Sequence, residues 1–285
     1  MDEIWTNTQG THMDASYSNK IINYKGIFYL AQCLSYRDEI KPKPAEFIFE
    51  AVQRRIDRDW FFTRQMLETL MPAMYAPALQ AVTADPDNDI DPYWNNGFFS
   101  WGDARVAYAM VTTFKPQNIV EIGCGNSTKW FRRAIRDAGL ATVLTSIDPM
   151  PRTEIAGIPD EVVRSSVVDV DLAVFDRLRA GDVLFWDGSH ICFNGSDVCT
   201  LFLEVLPRLP AGVLLHIHDI SLPFAGFDSF KDVSEDLCTH TQSEQLMLAT
   251  YLLNAMGAKV VMPNFYLWTQ KQMPDYGNSF WVVTG

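Results

Sequence analysis

Four short runs hold residues whose types and spacing could do chemistry. The first is Glu121-Ile122-Gly123-Cys124-Gly125-Asn126-Ser127-Thr128. An apolar stretch enters two glycines, and polar residues able to cap a helix follow. Gly123 and Gly125 allow a close backbone approach to a ligand that a side chain would block. Asn126, Ser127 and Thr128 would leave the first amides of the helix facing an anionic group. The second run, Thr145-Ser146-Ile147-Asp148, ends on an acid at the carboxyl end of a predicted strand, where it can reach a ribose diol. The third is Asp187-Gly188-Ser189-His190 and the fourth His216-Ile217-His218-Asp219. Strand alternation puts His216 and His218 on one side and Ile217 on the other. If the last two runs end on adjacent strands, Asp187, His190, His218 and Asp219 meet at one rim. Such a rim can hold a general base, a divalent metal or both. His216 lies deeper in its strand and is expected to be structural.

Glu121 narrows the first site. A dinucleotide turn carries a glycine there and a third glycine further on, and neither is present. The acid moves the reading from a nicotinamide cofactor toward S-adenosylmethionine, whose carboxylate suits the helix end and whose ammonium would face Glu121. The GxG alone is a weak signal, and it gains weight from Asp148.

The elements that must position these residues alternate along the chain. Helix 103–115 precedes strand 117–122, and helix 126–138 precedes strand 141–148. Strand 162–168 and a short helix near 170–179 follow, then strand 182–187, helix 196–208, strand 212–218 and helix 233–256. This order specifies a parallel sheet covered on both faces. The runs Lys259-Val260-Val261-Met262 and Phe280-Trp281-Val282-Val283 lack a full crossover helix between them, so an antiparallel final pair is expected.

Before the sheet, the pattern from Lys25 to about Ala84 is helical, with Ile27, Phe28, Leu30, Ala31 and Leu34 on one face and further faces at Phe47–Val52 and Phe61–Leu70. Residues 1–92 are therefore expected to form a helical appendage and linker, and 93–285 the α/β domain. The helices would cover an acceptor or meet a second copy of the chain. The run Asp85–Pro92 alternates acids like a calcium loop, but Ile90 stands where the turn needs glycine and Asn96 where a bidentate glutamate belongs. It reads as a solvated acidic linker.

The 285 residues carry a net charge of −12, which argues against nucleic acid as a partner. Five cysteines without CxxC spacing argue against a disulfide framework and structural zinc, and fit a reducing cytoplasm. No signal peptide is expected from the polar start. No apolar run reaches the roughly 18 residues of a membrane span.

Taken together, the blocks resemble class I S-adenosylmethionine-dependent methyltransferases, in particular the bacterial small-molecule group of methyltransferase family 24. Asn96-Gly97-Phe98-Phe99 with Asp103-Ala104 is similar to the entry of that group's domain, and Val120 to Thr128 to its cofactor loop. Ser146-Ile147-Asp148-Pro149, Asp187-Gly188-Ser189-His190 with Asn194-Gly195-Ser196-Asp197-Val198, and His216-Ile217-His218-Asp219-Ile220 are similar to its later blocks. The resemblance implies a Rossmann-like α/β sheet of seven strands with an antiparallel last strand. It implies Glu121, Gly123, Gly125 and Asp148 as cofactor contacts, with Asp169 approaching adenine. Asn126, Ser127 and Asp187 complete the expected cofactor side.

The expected activity is methyl transfer to a hydroxyl, or failing that an amine, of a small-molecule acceptor. His218 or His190 would take the acceptor proton, with Asp187 or Asp219 orienting the base or binding a divalent metal. A metal-dependent enzyme of other chemistry and a non-catalytic S-adenosylmethionine-binding module remain alternatives on the same residues.

Overall fold

The computed structural model describes residues 43–226 and 243–285, together with the backbone of 21–24 and 27–30. Strands β1 (Ile21–Tyr24) and β2 (Ile27–Leu30) pair antiparallel, Tyr24 opposite Ile27. This corrects the helical face expected at Ile27, Phe28 and Leu30. A four-residue apolar run rich in aromatic and β-branched residues satisfies either period, and here the hairpin prevails. Ala31 and Leu34 lie outside the described residues.

Residues Pro44–Gly285 form one compact unit. It begins with α1 (Glu50–Arg58) and α2 (Trp60–Met74), then α3 (Trp101–Phe114), β3 (Asn118–Ile122), α4 (Asn126–Asp137), β4 (Val143–Ile147) and β5 (Glu161–Val163). Next come β6 (Val183–Trp186), α5 (Asp197–Thr200), β7 (Leu214–Ile217), α6 (Ser243–Asn254), β8 (Lys259–Pro263), α7 (Asn264–Thr269) and β9 (Phe280–Val283). The seven-strand sheet has the order β5-β4-β3-β6-β7-β9-β8. All its neighbours are parallel except β9, which runs antiparallel to both β7 and β8. The short α7 leaves no room for a parallel return, so the antiparallel close follows.

The apolar runs of β3, β6 and β7 are buried on both faces, as parallel strands between helices must be. Ile119, Leu144, Phe185 and Leu214 point to one face, where α2, α3 and α4 supply Leu70, Met74, Val106, Met110, Trp130 and Phe131. Val120, Leu184, Trp186, Leu215 and Ile217 point to the other, against Val52 and Ile56 of α1, Leu201, Val205 and Leu248.

One expectation about the early helices changes here. A domain break at 92/93 does not coincide with a break between compact units, because α1 and α2 are layers of the same core. Val52, Ile56, Leu67 and Leu70 of these helices pack into the core, while Phe61 stays exposed. The joint is also polar. Arg55, buried in α1, donates to the carbonyls of Leu252 and Ala258 and pairs with Asp59. Asp59 accepts from the amide of Val260 at 2.8 Å, and Thr63 donates to the Val260 carbonyl at 2.9 Å.

Other boundaries move less. The strand expected at 162–168 stops at Val163, and a 3-10 turn occupies Val167–Asp169. The helix near 170–179 is the 3-10 turn Leu172–Arg177. The helix expected at 233–256 is present as Ser243–Asn254; its first part lies outside the described residues.

Candidate active site

Parallel strands end together, so the chemistry-bearing residues of β3, β4, β6 and β7 emerge along one edge. The register puts Ile122 beside Ile147 and Trp186, and Trp186 beside Ile217. The residues that follow, Gly123, Asp148, Asp187 and His218, are thereby neighbours. Asp187 donates its amide to the Ile122 carbonyl at 2.9 Å, and His218 donates its amide to the Trp186 carbonyl at 3.0 Å.

Gly123 is required by space. Its φ is +78°, and a Cβ there would stand 1.9 Å from the Asp187 carbonyl oxygen. The turn continues through Cys124, whose amide donates to Asp148 Oδ2 at 2.9 Å; Met150 donates its amide to Asp148 Oδ1 at 2.8 Å. Asp148 thus ties the glycine turn to the end of β4 while keeping lone pairs on both oxygens. Asp169 is exposed at the end of its 3-10 turn beyond β5.

Glu121 corrects an expectation. Its side chain does not face an open ligand site; it is fully buried beneath the turn. The carboxylate accepts hydrogen bonds from Ser127 Oγ, Thr128 Oγ1 and Ser146 Oγ, each at 2.7 Å. Gly125 in turn donates its amide to Thr128 Oγ1 at 2.9 Å. Ser127 and Thr128 therefore turn inward to hold the acid. Burial pushes the Glu121 carboxyl up to about 7 despite these three donors, with the nearby Asp187 adding to the rise.

The rim expected from β6 and β7 is assembled. His190 and Asp219 both adopt positive φ, +64° and +55°, which turns their side chains back over the strand ends. His190 Nε2 lies 3.5 Å from Asp187 Oδ1 and 3.3 Å from Asp219 Oδ2. His218 Nδ1 lies 3.9 Å from Asp187 Oδ1 and 3.5 Å from Asp219 Oδ2. Ligand atoms of Asp187, His218 and Asp219 all fall within 4.8 Å of one another, a donor set suited to a divalent cation. His216 is structural, as expected. It is fully buried, stacks on Phe185 at 3.9 Å and shares a 2.7 Å hydrogen bond with Ser279 Oγ.

Two buried carboxylates that sequence reasoning missed stand behind the histidines. Asp103, in the first turn of α3, lies 3.6 Å from His218 Nε2, and Glu244, in the first turn of α6, lies 2.7 Å from His190 Nδ1. Nothing in their local pattern separates them from helix-capping acids; only the fold brings them here. Burial acts to discharge both imidazoles, but the surrounding carboxylates prevail. His190 is raised to about 9, chiefly by Glu244, and His218 is raised well above its ordinary value, chiefly by Asp219. Asp219 is correspondingly held well below the usual carboxylate range against its burial, mainly by His218.

A cavity of about 680 Å³ opens beside the rim. Trp94, Phe98, Trp101, Tyr276, Arg152 and Asp219 are among the residues that line it. Arg152 stands over the Phe98 ring at 5.1 Å. Its lining comes mainly from the segment leading into α3 and the one leading into β9.

The sheet order β5-β4-β3-β6-β7-β9-β8, with β9 antiparallel, is that of the Rossmann-like α/β methyltransferase fold. Residues 120–220 match the family model of methyltransferase family 24, described as a methyltransferase domain. No curated protein matches the chain. Among solved structures, the chain is similar to an O-methyltransferase from Bacillus cereus in complex with SAH, at 16% identity and a TM-score of 0.42, over 82% of this chain and 100% of that one. It is similar to the O-methyltransferase TomG from Streptomyces achromogenes, at 15% identity and a TM-score of 0.43, over 82% and 99%. A third, the methyltransferase PaMTH1 from Podospora anserina, shares 12% identity at a TM-score of 0.44, over 86% and 99%.

Proposed function

We propose that this protein transfers a methyl group from S-adenosylmethionine to a hydroxyl, or failing that an amine, of a small-molecule acceptor. The observation that carries the reading is the seating of Gly123 directly against the Asp187 carbonyl. It makes the donor-side turn and the acid–imidazole rim adjoining surfaces. Methyl transfer needs that adjacency more than any other feature, because alignment of donor and acceptor supplies most of the effect.

The residues fit the donor. Gly123 and Gly125 leave the turn free of side chains, α4 begins directly after it, and Asp148 presents a carboxylate anchored by two amides. When bound, S-adenosylmethionine supplies an electrophilic methyl group. Glu121 keeps the turn in shape from below. The aromatic cavity would receive the acceptor, and Asp219 in its wall joins it to the rim.

His190 is the candidate base, with His218 beside it. With its proton held up to about 9, His190 is an imidazolium at neutral pH in the metal-free chain. The proton acceptor is the neutral ring, which takes the acceptor's proton at Nε2 after its own Nε2 proton has passed to solvent. Asp187, His218 and Asp219 would hold a divalent cation beside it, whose positive charge would favour the neutral ring. Among the described residues no helix is long and apolar enough to cross a membrane.

Calorimetry with S-adenosylhomocysteine tests the donor. Binding is expected, weakened about tenfold or more in Asp148→Ala, since one charge-assisted bidentate contact is worth at least 1.4 kcal/mol. Well-folded protein that shows no binding overturns the reading.

A further inference from the structure

Glu244 is a buried acid whose carboxylate is directed at one side chain, His190. It is 1% exposed, and its Oε2 lies 2.7 Å from His190 Nδ1. Its other oxygen, Oε1, meets no hydrogen-bond partner among the described residues. Asp103, the matching acid behind His218, is held quite differently. It accepts from Ser100 Oγ at 2.6 Å, Asn264 Nδ2 at 2.8 Å and the amides of Asn278 and Ser279 at 2.9 and 2.8 Å. Among the described residues the Glu244 carboxylate thus has one hydrogen-bond partner, the His190 ring.

The Glu244 amide donates to the His190 carbonyl at 3.2 Å, and the neighbouring Ser243 Oγ accepts from the Cys192 amide at 2.6 Å. The start of α6 is thus fastened to the loop that carries His190, and His190 itself sits at positive φ. With one ring nitrogen engaged by Glu244, the other is turned to the rim.

We propose that Glu244 is a positioning residue that keeps a proton on His190 Nδ1 and so aims Nε2 at Asp187 and Asp219. This rests on the reading of His190 as the base and adds the residue that sets its tautomer and ring direction. A base whose Nδ1–H is fixed from behind presents a lone pair at Nε2 whenever it is neutral. Without that hold the ring can flip or protonate at Nε2, and the site loses its acceptor atom.

Long-range proton–nitrogen NMR on the full chain labelled with ¹⁵N-histidine tests this without any substrate. The chain has five histidines, and His190→Gln assigns the signal. The expected result is an Nδ1 proton on His190 that is present in the unaltered chain, lost in Glu244→Leu and retained in Glu244→Gln, whose amide oxygen can still accept it. A His190 without an Nδ1 proton, or one unchanged in Glu244→Leu, overturns the proposal. If Glu244→Leu does not fold, Glu244→Gln decides: removal of the charge at constant shape must move the His190 ring nitrogen shifts, and unchanged shifts overturn it. The donor reading fails separately, by absence of S-adenosylhomocysteine binding.

Discussion

Asp103 Oδ2 and His218 Nε2 lie 3.6 Å apart, although the two residues come from α3 and from the end of β7. Asp103 is fully buried, and its carboxyl is lowered to about 2 against the effect of burial, by His218 first and then by Ser100 and the Asn278 amide. The acid fastens α3 and the lead into β9 to the rim at once. Asp103→Ala is expected to destabilise the fold by about 3–5 kcal/mol, because it strands the Asn278 and Ser279 amides and an imidazolium. Urea denaturation checks this. A midpoint shift equivalent to less than about 1 kcal/mol would contradict the account.

Glu121 gives the fold a pH dependence of defined sign. Its carboxyl is raised from an ordinary 4.5 to about 7, so between these values the folded chain holds a proton that the unfolded chain has lost. The contribution is fully present below about 4.5 and disappears as the pH rises through 7. It amounts to roughly 3 kcal/mol at most, from about 1.4 kcal/mol per pH unit. Glu121→Gln is expected to flatten the fall in stability between these limits, as measured by denaturation midpoints at a series of pH values. An identical slope in the two proteins would exclude this origin.

Gly123→Ala combines a clash and a strained backbone. The added methyl would meet the Asp187 carbonyl at 1.9 Å, and a left-handed φ of +78° disfavours any side chain. Roughly 3 kcal/mol or more of lost stability is expected, together with loss of S-adenosylhomocysteine binding. Gly139→Ala is the control. It has a positive φ of +61° but open space around it, so it should cost only about 1 kcal/mol. Equal effects at the two positions would show that the clash is unimportant.

The donor set of Asp187, His218 and Asp219 predicts divalent-cation binding at neutral pH. Paramagnetic titration with Mn²⁺ should show a site in the unaltered chain that is weakened at least about tenfold in Asp219→Asn, one charge fewer among hard oxygen ligands. Unaltered Mn²⁺ affinity in Asp219→Asn would rule the rim out as that site.

Much of this was legible in the sequence because it depends on residues close in the chain. The βα alternation, the antiparallel close, the glycine turn, and the acids and histidines at strand ends are all short-range patterns. Parallel strands then carry such residues to one edge by register alone. The strand assignment of Ile27–Leu30 was not legible, because so short an apolar run fits two periods.

The tertiary structure decided how those residues are used. It turned Glu121 inward onto three hydroxyls, although its place before the glycines suggested a ligand contact. It packed residues of α1 and α2 into the core and drew the lining of the cavity mainly from Trp94–Trp101 and Pro274–Asn278. It also set Asp103 and Glu244 behind the two histidines, 115 and 54 positions away in the chain. A side chain's burial and charge partners depend on elements remote in sequence. Hence the residue types named the chemistry of the rim, and only the packing of α3 and α6 against it determined which nitrogen of each histidine faces the site.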